Sequence, residues 1–148
     1  MPEIQHRVGI HAPIEQVHSR FATIDGLADF WTTKVEGDPA PGGKLAFTFA
    51  GDEPSAVMEV LSDSPDRVVW RCIEGPDEWL GTEFAFNLTA SDKETTVYFT
   101  NTGWRETGEF MGHCSTKWGY FLLGTKLSLE GAEPVSFPND QAISGWEE

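Results

Sequence analysis

The apolar residues of this chain recur with two different periods. From roughly Lys34 to Trp104 the period is two: Leu45, Phe47 and Phe49 alternate with Ala46 and Thr48, and Ala56 to Leu61 forms the next apolar run. Val68, Trp70 and Cys72 then alternate with Val69 and Arg71; Phe84, Phe86 and Leu88 alternate with Glu83, Ala85 and Asn87. Val97, Phe99 and Asn101 complete the series. Turn-forming clusters separate these runs at Asp38–Gly43, Gly51–Pro54, Ser62–Asp66, Glu74–Trp79 and Ser91–Glu94. Short alternating strands with polar turns between them predict a meandering antiparallel sheet. Between Thr107 and Glu130 the period changes. A step of about 100° per residue places Phe110, Met111, Cys114, Trp118, Phe121, Leu122, Thr125 and Leu129 on one broad face, which predicts a long amphipathic helix.

Before the meander, Ile4, Val8 and Ile10 alternate with Gln5, Arg7 and His11 as a half-buried strand, and His6 falls in phase with its apolar set. Pro13 can open a helix, because its missing N–H is unneeded in the first turn. Ile14, Val17 and Phe21 then share a helical face. Thr23 is a candidate cap for a second short helix ending at Phe30, with Gly26 as its weak point. The pattern predicts an α+β fold. A curved antiparallel sheet of six or seven strands wraps a long C-terminal helix, and two short helices follow the first strand. We expect one domain over residues 1–148, with 131–148 as a tail packing back on it.

The inward set is rich in rings. The residues expected to face a cavity between sheet and helix are Trp31, Phe47, Phe49, Met58, Trp70, Phe84, Phe86, Phe99, Asn101, Cys114, Trp118 and Phe121. Two readings stand side by side: the rings pack on one another, or they offer stacking surfaces to a planar apolar guest. An entrance would be framed by the loops Glu74–Trp79 and Gly103–Gly108, with Trp79 and Trp104 as mobile lids. Tyr120, Leu123 and Leu127 make a second, narrower stripe opposite Trp118. Either the tail, with Val135, Phe137, Ile143 and Trp146, folds back over it, or it is a homodimer contact.

Composition narrows the partners. A net charge of −14, with only ten Lys and Arg, opposes nucleic acid and anionic membrane surfaces, which require clustered cations. No apolar run approaches the ~20 residues of a membrane span. The stretch from Met1 to Arg7 has no basic segment followed by an apolar one, so a cytoplasmic protein is expected. Cys72 and Cys114 make neither a disulfide framework nor a metal motif.

Candidate chemistry is sparse. His113 precedes Cys114, but neighbours on a helix point about 100° apart, so Cys114 is expected to face the cavity and His113 to face away. His6, His11, His18 and His113 show no zinc-like spacing, and no metal or cofactor is expected. His6 and Asn101 are the weak candidates for acid–base work inside the cavity, with Thr125 beside them. Glu59 and Glu83 fall on the opposite phase from the aromatic positions.

Several segments together resemble the START/SRPBCC superfamily, and within it the small homologues of the heat-shock ATPase activator. They are Ile10–Val17, Phe30-Trp31, Pro41–Leu45, Val57–Val60 with Pro65–Trp70, Thr95–Gly103, and Cys114–Leu122 with Glu130-Gly131. Their order and spacing cover about residues 4 to 134. The resemblance implies a helix-grip fold with a deep apolar cavity, as in birch-pollen-allergen-like proteins. It does not imply one activity, since the superfamily holds lipid carriers, hormone receptors, polyketide cyclases, self-sacrificing resistance proteins and co-chaperones. The last strand often carries a His where this chain has Asn101, so a role for that His does not transfer. The reading favoured is non-catalytic binding of an apolar, aromatic or polyketide/lipid-like small molecule, in stress response or resistance, by a monomer or homodimer. A cyclase or dehydratase-type enzyme is the alternative. A chaperone-ATPase regulator ranks last, because the extra N-terminal domain of full co-chaperones has no counterpart in this sequence.

Overall fold

The computed structural model describes residues 2–144. Seven strands form one antiparallel sheet in the order β1-β7-β6-β5-β4-β3-β2. β1 spans Ile4–Ile10 and is followed by helices α1 (Ile14–Ala22) and α2 (Ile24–Phe30). The meander then runs through β2 (Lys34–Gly37), β3 (Lys44–Thr48), β4 (Ala56–Ser64), β5 (Arg67–Glu74), β6 (Glu83–Ala90) and β7 (Thr95–Thr102). Helix α3, Glu109–Leu129, closes the fold against the concave face. The α+β helix-grip architecture expected from the periodicities is the one observed.

One face of the sheet carries the core because the strands keep their two-residue phase. Trp70 stands opposite Phe84 across β5 and β6, and Phe86 opposite Phe99 across β6 and β7. On the outer face Glu83 pairs with Arg71 at 3.2 Å, which accounts for its opposite phase. The hairpin after β4 differs from expectation. Ser62, Asp63 and Ser64 are turn formers by composition, yet they pair with Val69, Val68 and Arg67, and the turn shrinks to Pro65-Asp66. A register shift between Val60 and Ser62 leaves Leu61 unpaired, and such a bulge lets the strand continue at changed twist.

The two short helices fit together through one glycine. Thr23 caps α2 by accepting from the Gly26 N–H at 3.0 Å, as its position implies. Gly26 itself is no weak point. A Cβ there would lie 1.9 Å from the Ser19 carbonyl oxygen, so only glycine lets α2 turn this tightly against α1. Val17 and Phe21 of α1 and Leu27 and Phe30 of α2 are buried against the sheet.

Polar ties hold α3 to β1 and α1. Lys126 Nζ donates to the Gly9 carbonyl at 2.7 Å and to Glu130 at 2.8 Å, while Glu130 accepts from the His11 N–H at 2.9 Å. Those two donors, His11 first, hold the Glu130 carboxyl below its usual range. Arg20 donates to Ser128 Oγ at 2.6 Å.

The segment after α3 crosses to the edge near β2. Ser136 Oγ donates to the Ala28 carbonyl at 2.5 Å, and Thr32 and Phe137 form a parallel bridge. The Tyr120 hydroxyl accepts from the Gln141 N–H at 3.0 Å. Leu123 and Leu127 stay 47% exposed. The expected cover over the second helical stripe therefore reaches Tyr120 and misses the two leucines, because the segment is drawn toward residues 28–33. Trp146 lies outside the described residues.

Substituting Gly26→Ala is expected to destabilise by about 3 kcal/mol or more, since backbone atoms cannot yield as a side chain can. Gly112→Ala on α3, where a Cβ meets nothing within 4 Å, should stabilise by about 0.5–1 kcal/mol. Urea unfolding of the two variants beside the parent protein checks both signs.

Candidate functional site

Most of the concave face is already filled. Phe47, Met58, Trp70, Phe84, Phe86 and Phe99 have no exposed surface. Trp70 sits 4.9 Å from Phe86 and 5.5 Å from Phe47 between ring centroids, and Phe86 sits 4.4 Å from Phe21. Rings at 4.5–7 Å are in packing contact, with no room for a guest between them. For these residues the structure shows packing on one another.

A cavity of about 550 Å³ lies at the margin of this cluster. Five of the expected ligand-facing residues line it: Trp31, Phe49, Cys114, Trp118 and Phe121. Phe47, Met58, Trp70, Phe84, Phe86, Phe99 and Asn101 lie outside its lining. The remaining wall comes from Ala50 and Ser55 between β3 and β4, from Trp79, from Phe110, His113 and Lys117 of α3, and from Phe137, Pro138, Asp140 and Ala142 beyond it. This last group was missed because the tail's apolar residues fall at irregular spacing and its partners lie far off in sequence. The position of His113 corrects the expectation that it faces away. The cavity sits beside the helix rather than beneath it, so adjacent residues of α3 reach it from two sides.

The tryptophans form its floor and rim. Trp118 lies 4.8 Å from Trp31 and 6.3 Å from Trp79, and Trp31 lies 6.0 Å from Trp79. Trp79 is half-buried, and its loop is tied down: its carbonyl accepts from Thr82 Oγ1 at 2.7 Å, and Arg105 donates to the carbonyls of Leu80 and Asp77. Its indole N–H is shut off from solvent with no hydrogen-bond partner. It bears on the Cys114 sulphur without reaching hydrogen-bond geometry. Trp104 is not a lid. It is fully buried, and its Nε1–H donates to Asn101 Oδ1 at 2.7 Å.

That bond also settles what Asn101 does in this structure. Its Nδ2 donates to the Glu83 carbonyl at 3.1 Å, so both ends of the amide are engaged in joining β6, β7 and the following loop. His6 is half-buried and packs on Gly119, where a Cβ would come within 3.3 Å of its ring. The His6 Nε2 lies 2.8 Å from the Ser115 carbonyl, which can only accept, so the Nε2–H donates there and fixes the tautomer. The Thr125 hydroxyl is buried without a hydrogen-bond partner, away from the cavity lining. Glu59 and Glu83 contribute nothing to the lining either.

Charged side chains also stand on the wall. Lys117 Nζ meets Asp140 Oδ2 at 2.6 Å, with the two side chains 12% and 10% exposed. The same ammonium donates to the Gln141 carbonyl at 2.9 Å and lies 5.0 Å from the Phe121 ring centroid. His113 Nδ1 is 2.5 Å from Ser144 Oγ. Burial pushes the Cys114 thiol up to about 12, and the Cys72 thiol up to about 11. Neither is an activated nucleophile, and His113 next to Cys114 does not lower it. Among the described residues, no three His, Cys, Asp or Glu side chains converge as metal ligands. No helix there is long and apolar enough to cross a membrane.

A seven-stranded antiparallel sheet gripping a C-terminal helix, with two short helices after the first strand, defines the SRPBCC helix-grip class. Within it, residues 11–128 match the family described as Activator of Hsp90 ATPase homolog 1-like protein, and the chain belongs to that family. A solved Aha1 dimer from Colwellia psychrerythraea is 38% identical, with a TM-score of 0.81, covering 88% of this chain and 98% of that one. CalU16 from Micromonospora echinospora is 16% identical at a TM-score of 0.78, covering 97% of this chain and 74% of its own. DynU16, a putative protein of the dynemicin biosynthetic locus, is 19% identical at 0.72, covering 94% and 51%. The last two share the fold alone. Among curated proteins there is no significant match.

Both thiols should resist an aromatic disulfide reagent at neutral pH in the folded protein and react promptly once it is unfolded. Fast labelling of the folded chain, followed spectrophotometrically, would contradict the protonated, buried state.

Proposed function

We propose that this protein binds an apolar, aromatic or polyketide/lipid-like small molecule in the marginal cavity, as a non-catalytic carrier or sequestering protein of the cytoplasm. The observation that carries this reading is a lining of Trp31, Phe49, Trp79, Phe110, Trp118 and Phe137 that stays open while the neighbouring rings pack shut. A volume of about 550 Å³ falls among those of small-molecule sites, which are mostly apolar with a few placed polar groups. Three of the chain's six tryptophans stand in that lining, so occupancy should be visible in their emission. The family and its neighbours fit a ligand-binding fold of this kind.

The polar residues that the sequence offered for acid–base or nucleophilic work are already committed elsewhere. Asn101 is locked to Trp104, His6 donates to a backbone carbonyl, and both thiols are held protonated. Family membership keeps chaperone-ATPase regulation as the competing role. A panel of aromatic and long-chain lipid ligands, titrated against intrinsic fluorescence, should yield at least one class that quenches saturably, and Trp79→Phe should diminish the signal. If no class quenches, and the protein instead changes ATP turnover by an Hsp90-type chaperone, the carrier reading is displaced.

Self-association is favoured by a separate observation. Leu123 and Leu127 stand four residues apart on the outer side of α3, each half exposed, and the 38%-identical Colwellia protein is a dimer. We expect a dimer by sedimentation velocity, converted toward monomer by Leu123→Glu with Leu127→Glu. A monomeric parent protein at high concentration would end this part of the reading.

A further inference from the structure

Among the described residues, Trp70 Nε1, Thr125 Oγ1 and Trp79 Nε1 are buried without a hydrogen-bond partner. Trp70 and Thr125 lie outside the cavity lining, in the packed interior. Trp79 is different, because its ring stands on the cavity wall. Its N–H bears on the sulphur of Cys114, which lines the same cavity and is 4% exposed. Burial holds that thiol protonated, with its pKa pushed up to about 12, and its S–H finds no acceptor among the described residues. An indole N–H only donates, and a thiol S–H is a weak donor. Two donors therefore stand side by side on an aromatic wall with nothing to receive them. A buried polar group left in that state asks for an explanation.

We propose that the cavity selects a neutral, planar aromatic ketone. Its carbonyl oxygen accepts from the Trp79 Nε1–H and the Cys114 S–H, and its ring system lies against Trp31 and Trp118. This deepens the ligand-binding reading above and rests on it. A carbonyl oxygen carries two lone pairs and no proton, so it satisfies both donors at once. A hydrocarbon of the same shape leaves both unsatisfied.

The surroundings of Trp79 suit this role. Its indole nitrogen is shut off from solvent, so seating the oxygen requires the ring to tilt away from Cys114. The tilt breaks no hydrogen bond, because the N–H makes none. Trp79 is only half-buried, so part of its ring already borders solvent. The backbone beneath it stays in place, since Thr82 Oγ1 holds the Trp79 carbonyl at 2.7 Å and Arg105 holds the carbonyls of Asp77 and Leu80. A ketone also brings no charge. The 2.6 Å contact of Lys117 with Asp140 is therefore left intact, and the chain's charge of −14 does not oppose the guest.

Fluorenone and fluorene test the assignment, because they share one flat tricycle and differ by a carbonyl in place of a methylene. Equilibrium dialysis gives each affinity, and division by the probe's water-to-hexane partition coefficient removes the difference in apolar driving force. The parent protein should then favour fluorenone by about tenfold or more, as a hydrogen bond made in an apolar site requires. Trp79→Phe keeps a ring in the wall and should remove most of that preference while leaving fluorene affinity largely unchanged. Cys114→Ala should lower the preference by a smaller factor. Infrared difference spectroscopy supplies a second readout on the parent protein itself. The carbonyl stretch of bound fluorenone should fall below its position in hexane and return toward it in Trp79→Phe, a shift that a merely space-filling indole would not produce. Circular dichroism verifies that each variant keeps its fold. Equal corrected affinities with a hexane-like stretch in the parent protein overturn the donor assignment and leave the apolar-ligand reading standing. An undiminished preference in Trp79→Phe overturns it as well. If neither probe binds the parent protein, both readings are overturned.

Discussion

Trp118 is the contact on which the rest of this molecule depends. Its ring lies within 4.8–6.3 Å of Trp31, Phe99, Phe84, Phe30 and Trp79, which belong to or follow α2, β7, β6 and the loop after β5. A single side chain of α3 thus fixes the helix relative to the sheet and to the helical layer at once. Aromatic pairs of this kind add about 0.5–1.5 kcal/mol each beyond the area they bury, though not additively. The helix register has to match that contact. The polar ties from His6 to Ser115 and from Lys126 to Gly9 bracket Trp118 on either side along the helix and prevent sliding.

The sheet and the helices were legible because each has a period that the sequence displays. Phe84 and Phe86, or Val17 and Phe21, could belong to no other element without turning apolar side chains to water. The Thr23 cap was legible for the same local reason. What stayed hidden depended on contacts between distant segments. Gly26 reads as a weak helical residue until Ser19 is seen lying against it. Asn101 and His6 read as polar groups in an apolar phase, and only the positions of Trp104 and Ser115 show that their hydrogen bonds are already committed. The cavity wall contributed by Phe137 to Ala142 had no periodic signal, since that segment has no regular secondary structure and takes its path from Thr32 and Lys117.

The location of the cavity follows from the filling of the concave face. A sheet this curved can hold either a large internal volume or a set of large side chains, and Phe and Trp supply the latter. Open volume is then left where the ring cluster meets the end of β3 and the side of α3. There the wall is completed by Ser55, by Trp79 and by the segment from Phe137 to Ala142. The ring pairs joining Phe84, Phe86 and Phe99 lie outside the ligand wall, whereas those of Phe49, Phe110 and Phe137 belong to it.

This separation has a functional consequence within a fold that hosts many activities. Residues such as Phe110 and Phe137 can change the shape of the site without disturbing the packing around Trp70. Trp31 and Trp118 belong to both sets, so changes there alter the site and the core together. Polar chemistry is confined in the same way. The interior amide serves the Trp104 indole and a backbone carbonyl, the β1 imidazole serves a backbone carbonyl, and the charged side chains that line the cavity come from α3 and from the segment that follows it. A site that draws part of its wall and one of its charges from a crossing segment can be retuned by changing that segment while the scaffold is kept.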